Sequence, residues 1–265
     1  MTDDAALLDL ASRVAGEAGD LLLTGFRVTR ELVETKSSAT DMVSEMDRAA
    51  EALIVTSLLA ERPDDGIVGE EGSAVAGTSG LRWVVDPLDG TTNYLFGLPG
   101  WGVSIAAEGP DGVVAGAVLD AVHGELFTAL RGGGAWLNGR PIACSRQTDL
   151  RLALLATGFG YAAERRRHQA AVLVELLPQV RDIRRFGAAA VDLCSVACGR
   201  VDAYYEKGLA WWDLAAGALV AAEAGVELSG LDGGPVRPAS VLAAAPGIAG
   251  PLRDVLSTVR AGGGP

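Results

Sequence analysis

Residues 83–94 read WVVDPLDGTTNY. Trp83, Val84 and Val85 lead into Asp86, Pro87 follows at once, and Asp89 comes three residues after Asp86. Carboxylates held this close repel one another unless a proton or a metal joins them. Oxygen donors with no imidazole or thiolate beside them favour a hard cation, Mg2+ or Mn2+. Gly90 lets the backbone approach a ligand, and the amides of Thr91, Thr92 and Asn93 would open a helix, an anion-binding arrangement. The alternative for the same stretch is an Asx-type turn whose aspartates only cap a helix. Pro87 blocks ladder pairing and restrains Asp86 to extended backbone, so a strand is expected to stop at Asp86. Strand ends are where α/β proteins place reactive groups.

Three further acidic positions bear on the choice. Glu70 sits in GEEG (69–72), a glycine-bracketed turn just before this strand. Asp213 follows two tryptophans in GLAWWDLAAG (208–217), where a helix begins; an N-cap is its plain structural role and is compatible with ligation. Asp47 closes TDMVSEMD (40–47), and taken alone it reads as a first-turn partner of a helix dipole. The two histidines lie far from these groups: His123 beside Gly124 in a turn, His168 after Arg165-Arg166-Arg167 on an exposed helix. Carboxylates must therefore carry any chemistry.

Composition narrows the class. With 265 residues, 49% hydrophobic and a mean hydropathy of +0.27, the chain has core material for one large α/β body or two packed halves. No run of about 18 apolar residues suggests a membrane span, and MTDDAALLDL is acidic where a signal peptide is basic. A cytoplasmic protein is expected. Cys144, Cys194 and Cys198 are too few for a disulfide framework, and the last two share a helical spacing that fits a buried face. A net charge of −12 argues against nucleic acid as partner. It would also repel an anionic substrate, unless bound cations reverse the local field.

The positioning elements follow from periodicity. Residues 4–26 predict an amphipathic helix, 31–34 a short strand, KSSATD a loop, and about 43–61 a second helix before the Pro63–Gly66 turn. From 82 to about 143, strand-like runs separated by GPDG, AVHG, RGGG and NGR predict an antiparallel meander. From about 150, strands alternate with helices: strands at 152–157, 181–185 and 201–206, helices at 164–177, 187–199 and 212–225. The expected organisation is an N-terminal α+β half over 1–148 and a C-terminal α/β half over 149–265, in one continuous body.

In this order, GEE (69–71), WVVDPLDGTTN (83–93) and WWDLAAG (211–217) resemble the inositol monophosphatase family of Mg2+-dependent, lithium-sensitive phosphatases. The resemblance covers about residues 5–255, and RRFGAAAVDLCSVACGRVDAYYEKGLAWWD is similar to its bacterial inositol-1-monophosphatase branch. It implies a layered α-β-α-β-α sandwich of the sugar-phosphatase type, with an antiparallel sheet in the N-terminal half and a mixed sheet in the C-terminal half. It also implies two to three Mg2+ ions. Glu70, Asp86 and the Leu88 carbonyl match the ligands of a first ion; Asp86, Asp89 and Asp213 match those of a second, and a weaker third sits near Glu70. Thr91 and Asp47 match the pair that orients and deprotonates the attacking water. Gly90 and Thr91 amides match the phosphate cradle, and Glu206 and Ala189 match contacts to the inositol ring. Lys36 matches a basic residue near the ions. Ala210, Ala39 and Tyr94 depart from the usual polar residue, proline and phenylalanine, and none is a ligand position.

The expected activity is hydrolysis of inositol 1-phosphate or a similar small phosphomonoester by a homodimer. The rivals on the same core are 3′-phosphoadenosine nucleotidase, fructose-1,6-bisphosphatase and histidinol phosphatase. From other classes come a regulatory or RNA-associated module on the same fold and a carboxylate-pair glycosidase. The intact acidic set and the glycine–threonine cradle weigh against both.

Overall fold

The computed structural model describes residues 4–32 and 39–264, with side chains of 27–32 and 39–44 left aside. Lys36 lies outside the described residues. The N-terminal periodicity becomes α1 (Asp4–Leu32) and α2 (Ala39–Glu61). The strand expected at 31–34 is not formed over Glu31 and Leu32, which close α1, and α2 begins at Ala39 rather than about 43.

After α2 come β1 (Gly66–Gly69), β2 (Ala74–Val75), β3 (Arg82–Asp89), the short α3 (Thr91–Leu95), β4 (Gly102–Gly109), β5 (Gly112–Asp120), β6 (Glu125–Leu130), β7 (Gly134–Leu137) and β8 (Arg140–Pro141). The strands form one sheet in the order β2-β1-β3-β4-β5-β6-β7-β8. The expected meander is its antiparallel run from β3 to β8; β1 alone joins β3 in parallel. The second half supplies β9 (Leu154–Thr157), α4 (Ala163–Leu176), β10 (Asp182–Arg184), α5 (Ala189–Ala197), β11 (Ala203–Glu206), α6 (Trp211–Glu223), β12 (Glu227–Ser229), β13 (Val241–Ala244) and α7 (Pro246–Thr258). Its sheet, β10-β9-β11-β13-β12, is mixed.

Period-two alternation sorts the strand side chains into layers. Trp83 and Val85 pack with Leu10, Val14, Ile54 and Leu58 of α1 and α2, whereas Val84 faces the opposite core with Ala190, Leu193 and Leu214 of α5 and α6. Tyr204 of β11 joins that same middle core, while Ala203 and Tyr205 turn outward to Val172 and Leu176 of α4 and to Ile248 and Leu252 of α7. The result is the α-β-α-β-α sandwich. The middle helices lie between two sheets, so they are rich in small residues: a Cβ on Gly217 would sit 3.0 Å from Leu193 Cδ1, and one on Gly116 3.1 Å from Ala216 Cα. Cys194 is buried on this middle layer and Cys198 partly so, as the helical spacing implied.

A further expectation is corrected. β3 does not stop at Asp86 but runs through Pro87 to Asp89. Asp86 faces Ser104 and Asp89 faces Gly102 on β4, with a register shift between the two pairs. Three steps on β3 thus span two on β4, which is a bulge. The bulge takes the missing N–H of Pro87 out of the ladder. It also has a chemical consequence: residues three apart on a regular strand point to opposite faces, and the extra residue brings Asp86 and Asp89 to the same one.

Candidate active site

The bulge delivers its two carboxylates to a cleft of about 200 Å³ that Glu70, Leu88, Gly90, Thr91, Ala189, Glu206 and Asp213 also line. Each wall residue has a local reason for its place. The Asp86 carboxylate accepts the Leu88 N–H at 3.0 Å, which folds the chain back on itself, and the Thr91 hydroxyl donates to the Leu88 carbonyl at 3.1 Å. Gly90 then turns into α3 with φ 91°, and a Cβ there would lie 2.8 Å from the Gly100 carbonyl, so only glycine fits. Asp89 accepts the N–H groups of Ala189 and Ala190 at 3.1 and 2.7 Å, so the last residue of β3 closes the start of α5. Asp213 stands in the first turn of α6, not at its cap, and its Oδ2 accepts the Ala210 N–H at 2.7 Å. Both middle-layer helices therefore direct their N-terminal ends toward the cleft, which favours negative charge there.

Glu70 is carried on the turn after β1, pinned where its own N–H donates to the Val85 carbonyl at 3.2 Å. A residue that the sequence reading passed over holds the rest of this turn. Glu51 of α2 is buried, and its carboxylate accepts the N–H of Glu71 at 2.8 Å and of Ser73 at 2.9 Å. Gly69 is required beneath it, since any Cβ would collide with the Glu51 carboxylate. The signal was faint: an acidic residue four after Asp47 on one helix reads as solvated until the turn is seen to land on it.

The electrostatics follow from this crowding. Burial drives the proton affinity of Asp86 well above the carboxylate range, and Glu70, Asp89 and Asp213 add to it. Asp89 is shifted the same way by burial and Asp213, opposed by the two α5 amides. Burial raises Asp213 as well, against its Ala210 bond. Glu70 shifts upward through burial of its carboxyl end, with Asp86 opposing and Asp213 and Glu71 adding, although the residue as a whole stays exposed on its turn. Asp47 lies beyond the first turn of α2, so it is no dipole partner; it is buried, and burial with Glu71, Glu70 and Glu51 nearby raises it to about 8. Its Oδ1 is shielded from solvent and has no hydrogen-bond partner among the described residues.

A hard cation suits this donor set. The side chains are all carboxylates, among the described residues no basic group lowers the proton affinity of Asp86 or Asp89, and Asp47 Oδ1 has no hydrogen-bond partner there either. Among the described residues no three acidic, histidine or cysteine side chains are grouped tightly enough to chelate an ion as they stand. The fit therefore rests on one shared cleft and not on a finished cage. The same cleft is also lined by Arg165 and Arg185, neither singled out from sequence, together with Gly158, Tyr161 and Glu206.

A five-layer α/β sandwich with a carboxylate-walled cleft at a bulged strand end is the class that fold and site define. The chain matches the inositol monophosphatase family over residues 3–258 and belongs to it. It is 48% identical over 237 residues to an inositol-1-monophosphatase of Mycobacterium leprae, covering 84% of this chain and 81% of that one. It is 38% identical over 258 residues to a protein of Pasteurella multocida named Nus factor SuhB, covering 96% of each. The solved inositol monophosphatase from Anabaena superposes with a TM-score of 0.86 at 33% identity, over 97% of both chains.

Two predictions arise from this geometry. Glu51→Gln removes one of two acceptors and loosens the turn that presents Glu70; the Mg2+ concentration for half-maximal thermal protection should rise about tenfold or more, whereas an unchanged Mg2+ dependence would show the turn to be indifferent to Glu51. The second concerns pH. Asp47 binds a proton in the folded state up to about pH 8 that the unfolded chain releases near 3.8, and Asp86 and Asp89 are shifted in the same direction. This contribution to stability is complete below the unfolded value and is lost as pH rises through the folded one. In EDTA the unfolding midpoint should fall between about pH 5.5 and 8, and saturating Mg2+ should flatten the slope. A midpoint that climbs with pH in EDTA rules the account out.

Proposed function

We propose that the protein is a Mg2+-dependent phosphomonoesterase that hydrolyses myo-inositol 1-phosphate and related small phosphomonoesters. The observation that carries this reading is the convergence of Glu70, Asp86, Asp89 and Asp213 on the cleft that the Gly90–Thr92 backbone also lines. When bound, two or three Mg2+ ions held by Glu70, Asp86, the Leu88 carbonyl, Asp89 and Asp213 supply charge neutralisation and an acidified water. The chain's own part is positioning, which is most of what phosphoryl transfer asks of a protein. The Gly90 and Thr91 amides hold the phosphate oxygens. Thr91 and Asp47 are the pair that would orient and deprotonate the attacking water, the Thr91 hydroxyl turning toward Asp47 from the Leu88 carbonyl, to which it donates here. Burial and its acidic neighbours raise Asp47 to about 8 in the metal-free protein, and bound cations would draw it back toward the ionised form that a base needs. Glu206, its carboxylate held by the Tyr204 hydroxyl at 2.5 Å, and Ala189 face the polyol.

A second reading has one observation behind it, the Nus factor name of a relative that covers 96% of this chain. It makes the protein a regulatory module on the same fold. The net charge of −12 and the full acidic wall favour the enzyme. Purified protein with Mg2+ should release phosphate from inositol 1-phosphate ahead of histidinol phosphate and 3′-phosphoadenosine 5′-phosphate, with lithium blocking it. Asp213→Asn should lower the rate about 100-fold or more. No release from any ester moves the weight to the regulatory reading, and near-normal turnover by Asp213→Asn sinks the mechanism.

We also propose a cytoplasmic homodimer. No helix among the described residues is long and apolar enough to cross a membrane. Phe96 and Leu98 are 63% and 51% exposed, and Asn93 ties their loop to the exposed Phe186 by bonding the Gly100 and Phe186 carbonyls at 2.6 and 2.7 Å. Sedimentation should give twice the chain mass of 27.2 kDa, and Phe96→Asp should reduce it to one; a wild-type monomer refutes the assembly.

A further inference from the structure

The first half of α4 borders the cleft with little apolar packing to hold it. The two buried side chains of this helix, Val172 and Leu176, both lie in its second half, and residues 164–169 read ERRRHQ. Helices in proteins are held chiefly by a packed apolar face, so a polar half needs other anchors. Gln169 is one: it accepts the Gly160 N–H at 3.0 Å and donates to the Gly158 carbonyl at 3.2 Å, which ties the helix to the loop lining the cleft. His168 is the other, and its Nε2 lies 3.0 Å from the Arg260 carbonyl. A carbonyl only accepts, so Nε2 carries the proton in this bond.

Arg260 belongs to the segment after α7, which has a defined path. Arg260 takes φ 56°, the left-handed turn that ends many helices. The Arg260 and Ala261 N–H groups donate to the Ser257 and Leu256 carbonyls at 3.1 and 2.8 Å, and the Gly263 N–H donates to the Arg260 carbonyl at 2.9 Å. Ala261 is buried in the core that holds Val172, Leu252 and Leu256. From the other side Lys207, the residue after Glu206, donates to the Gly263 and Gly264 carbonyls at 3.2 and 2.7 Å. Gly264 rests on the His168 ring with φ 77°, and a Cβ there would lie 2.7 Å from the ring Cγ. Ala261 and Gly263 thus close a cavity of about 20 Å³ that Gly158 and Glu206, both residues of the cleft, also line.

We propose that residues 259–264 form a clasp behind the cleft, with Lys207 and His168 as positioning residues that act through it to hold the side facing the polyol. One grip is on the strand end that carries Glu206, the other on the helix that secures the 158–160 loop. The Gly208 and Leu209 N–H groups are held separately by the Pro238 carbonyl, so the approach to Asp213 does not depend on the clasp. The polyol part rests on the phosphomonoesterase reading above; the clasp itself does not.

Its first test therefore needs no activity. Lys207→Met removes the grip on Gly263 and Gly264, and Gly264→Val drives the segment off His168 without changing any charge. In both variants amide hydrogen exchange over residues 158–170 should quicken about tenfold, the loss expected for a charge-assisted hydrogen bond, while β3 exchanges as in the wild type. Gly264 is exposed, so the second variant tests the clasp even if the first does not fold. The second test is kinetic, with Mg2+. Both variants should raise KM for inositol 1-phosphate about threefold to tenfold with kcat within about twofold, and leave KM for 4-nitrophenyl phosphate, which has no polyol, and the Mg2+ dependence unchanged. A general loosening of the fold would move both esters together. Unchanged exchange over 158–170 in Gly264→Val overturns the proposal, and so does an equal effect on the two esters. Wild-type protein that cleaves neither ester, with exchange quickened in both variants, keeps the clasp and ends the phosphatase reading.

Discussion

Like charges set the terms of this structure. Glu70, Asp86, Asp89 and Asp213, on a turn, a bulged strand and a helix, face one cleft in a protein whose net charge is already −12. Left alone, such a cluster repels itself, and the rest of the fold is arranged to tolerate it. The α5 amides bond Asp89, the Ala210 amide bonds Asp213, and the Leu88 amide bonds Asp86. Each takes up part of the charge with a backbone donor that needs no counter-ion. What backbone donors cannot relieve shows as raised proton affinity in all four.

The same bonds join the two sheets. Asp89 ends a strand of the first sheet and holds the start of a helix that packs beneath the second. Asn93 bonds a carbonyl of its own loop and one from the segment before α5. The Ser104 hydroxyl on β4 donates to the Trp212 carbonyl of α6 at 3.3 Å. Chemistry and architecture share these residues, so a change at Asp89 alters the helix as well as the cleft.

The two walls are complementary in sign. The acidic wall suits cations and, through them, a phosphate; the arginine wall can meet an anion directly. This also resolves the apparent conflict between an acidic protein and an anionic ligand, because the attraction is local to the cleft and the net charge is not.

Much of this was legible in the chain. Glu70, Asp86, Asp89 and Asp213 announce themselves through residue type, adjacent glycines and helix starts, which are local properties. The elements were largely legible too, because period-two strands and period-3.6 helices mark themselves locally, whereas the layer order came only from the family resemblance. The bulge was not: Pro87 signals a broken ladder equally well by ending a strand or by bulging it, and only pairing with Ser104 and Gly102 decides. Glu51, Arg165 and Arg185 were invisible for the same reason. Their partners, the 71–73 amides, Gly208 and Gly187, become neighbours through packing, and a charged residue on a helix face has no sequence mark that separates a solvated side chain from one closed over by a distant turn. The sequence by itself determined which groups could do chemistry and the elements that carry them; the tertiary structure alone decided which face each group points to and what stands opposite, because those depend on register and on contacts between distant segments.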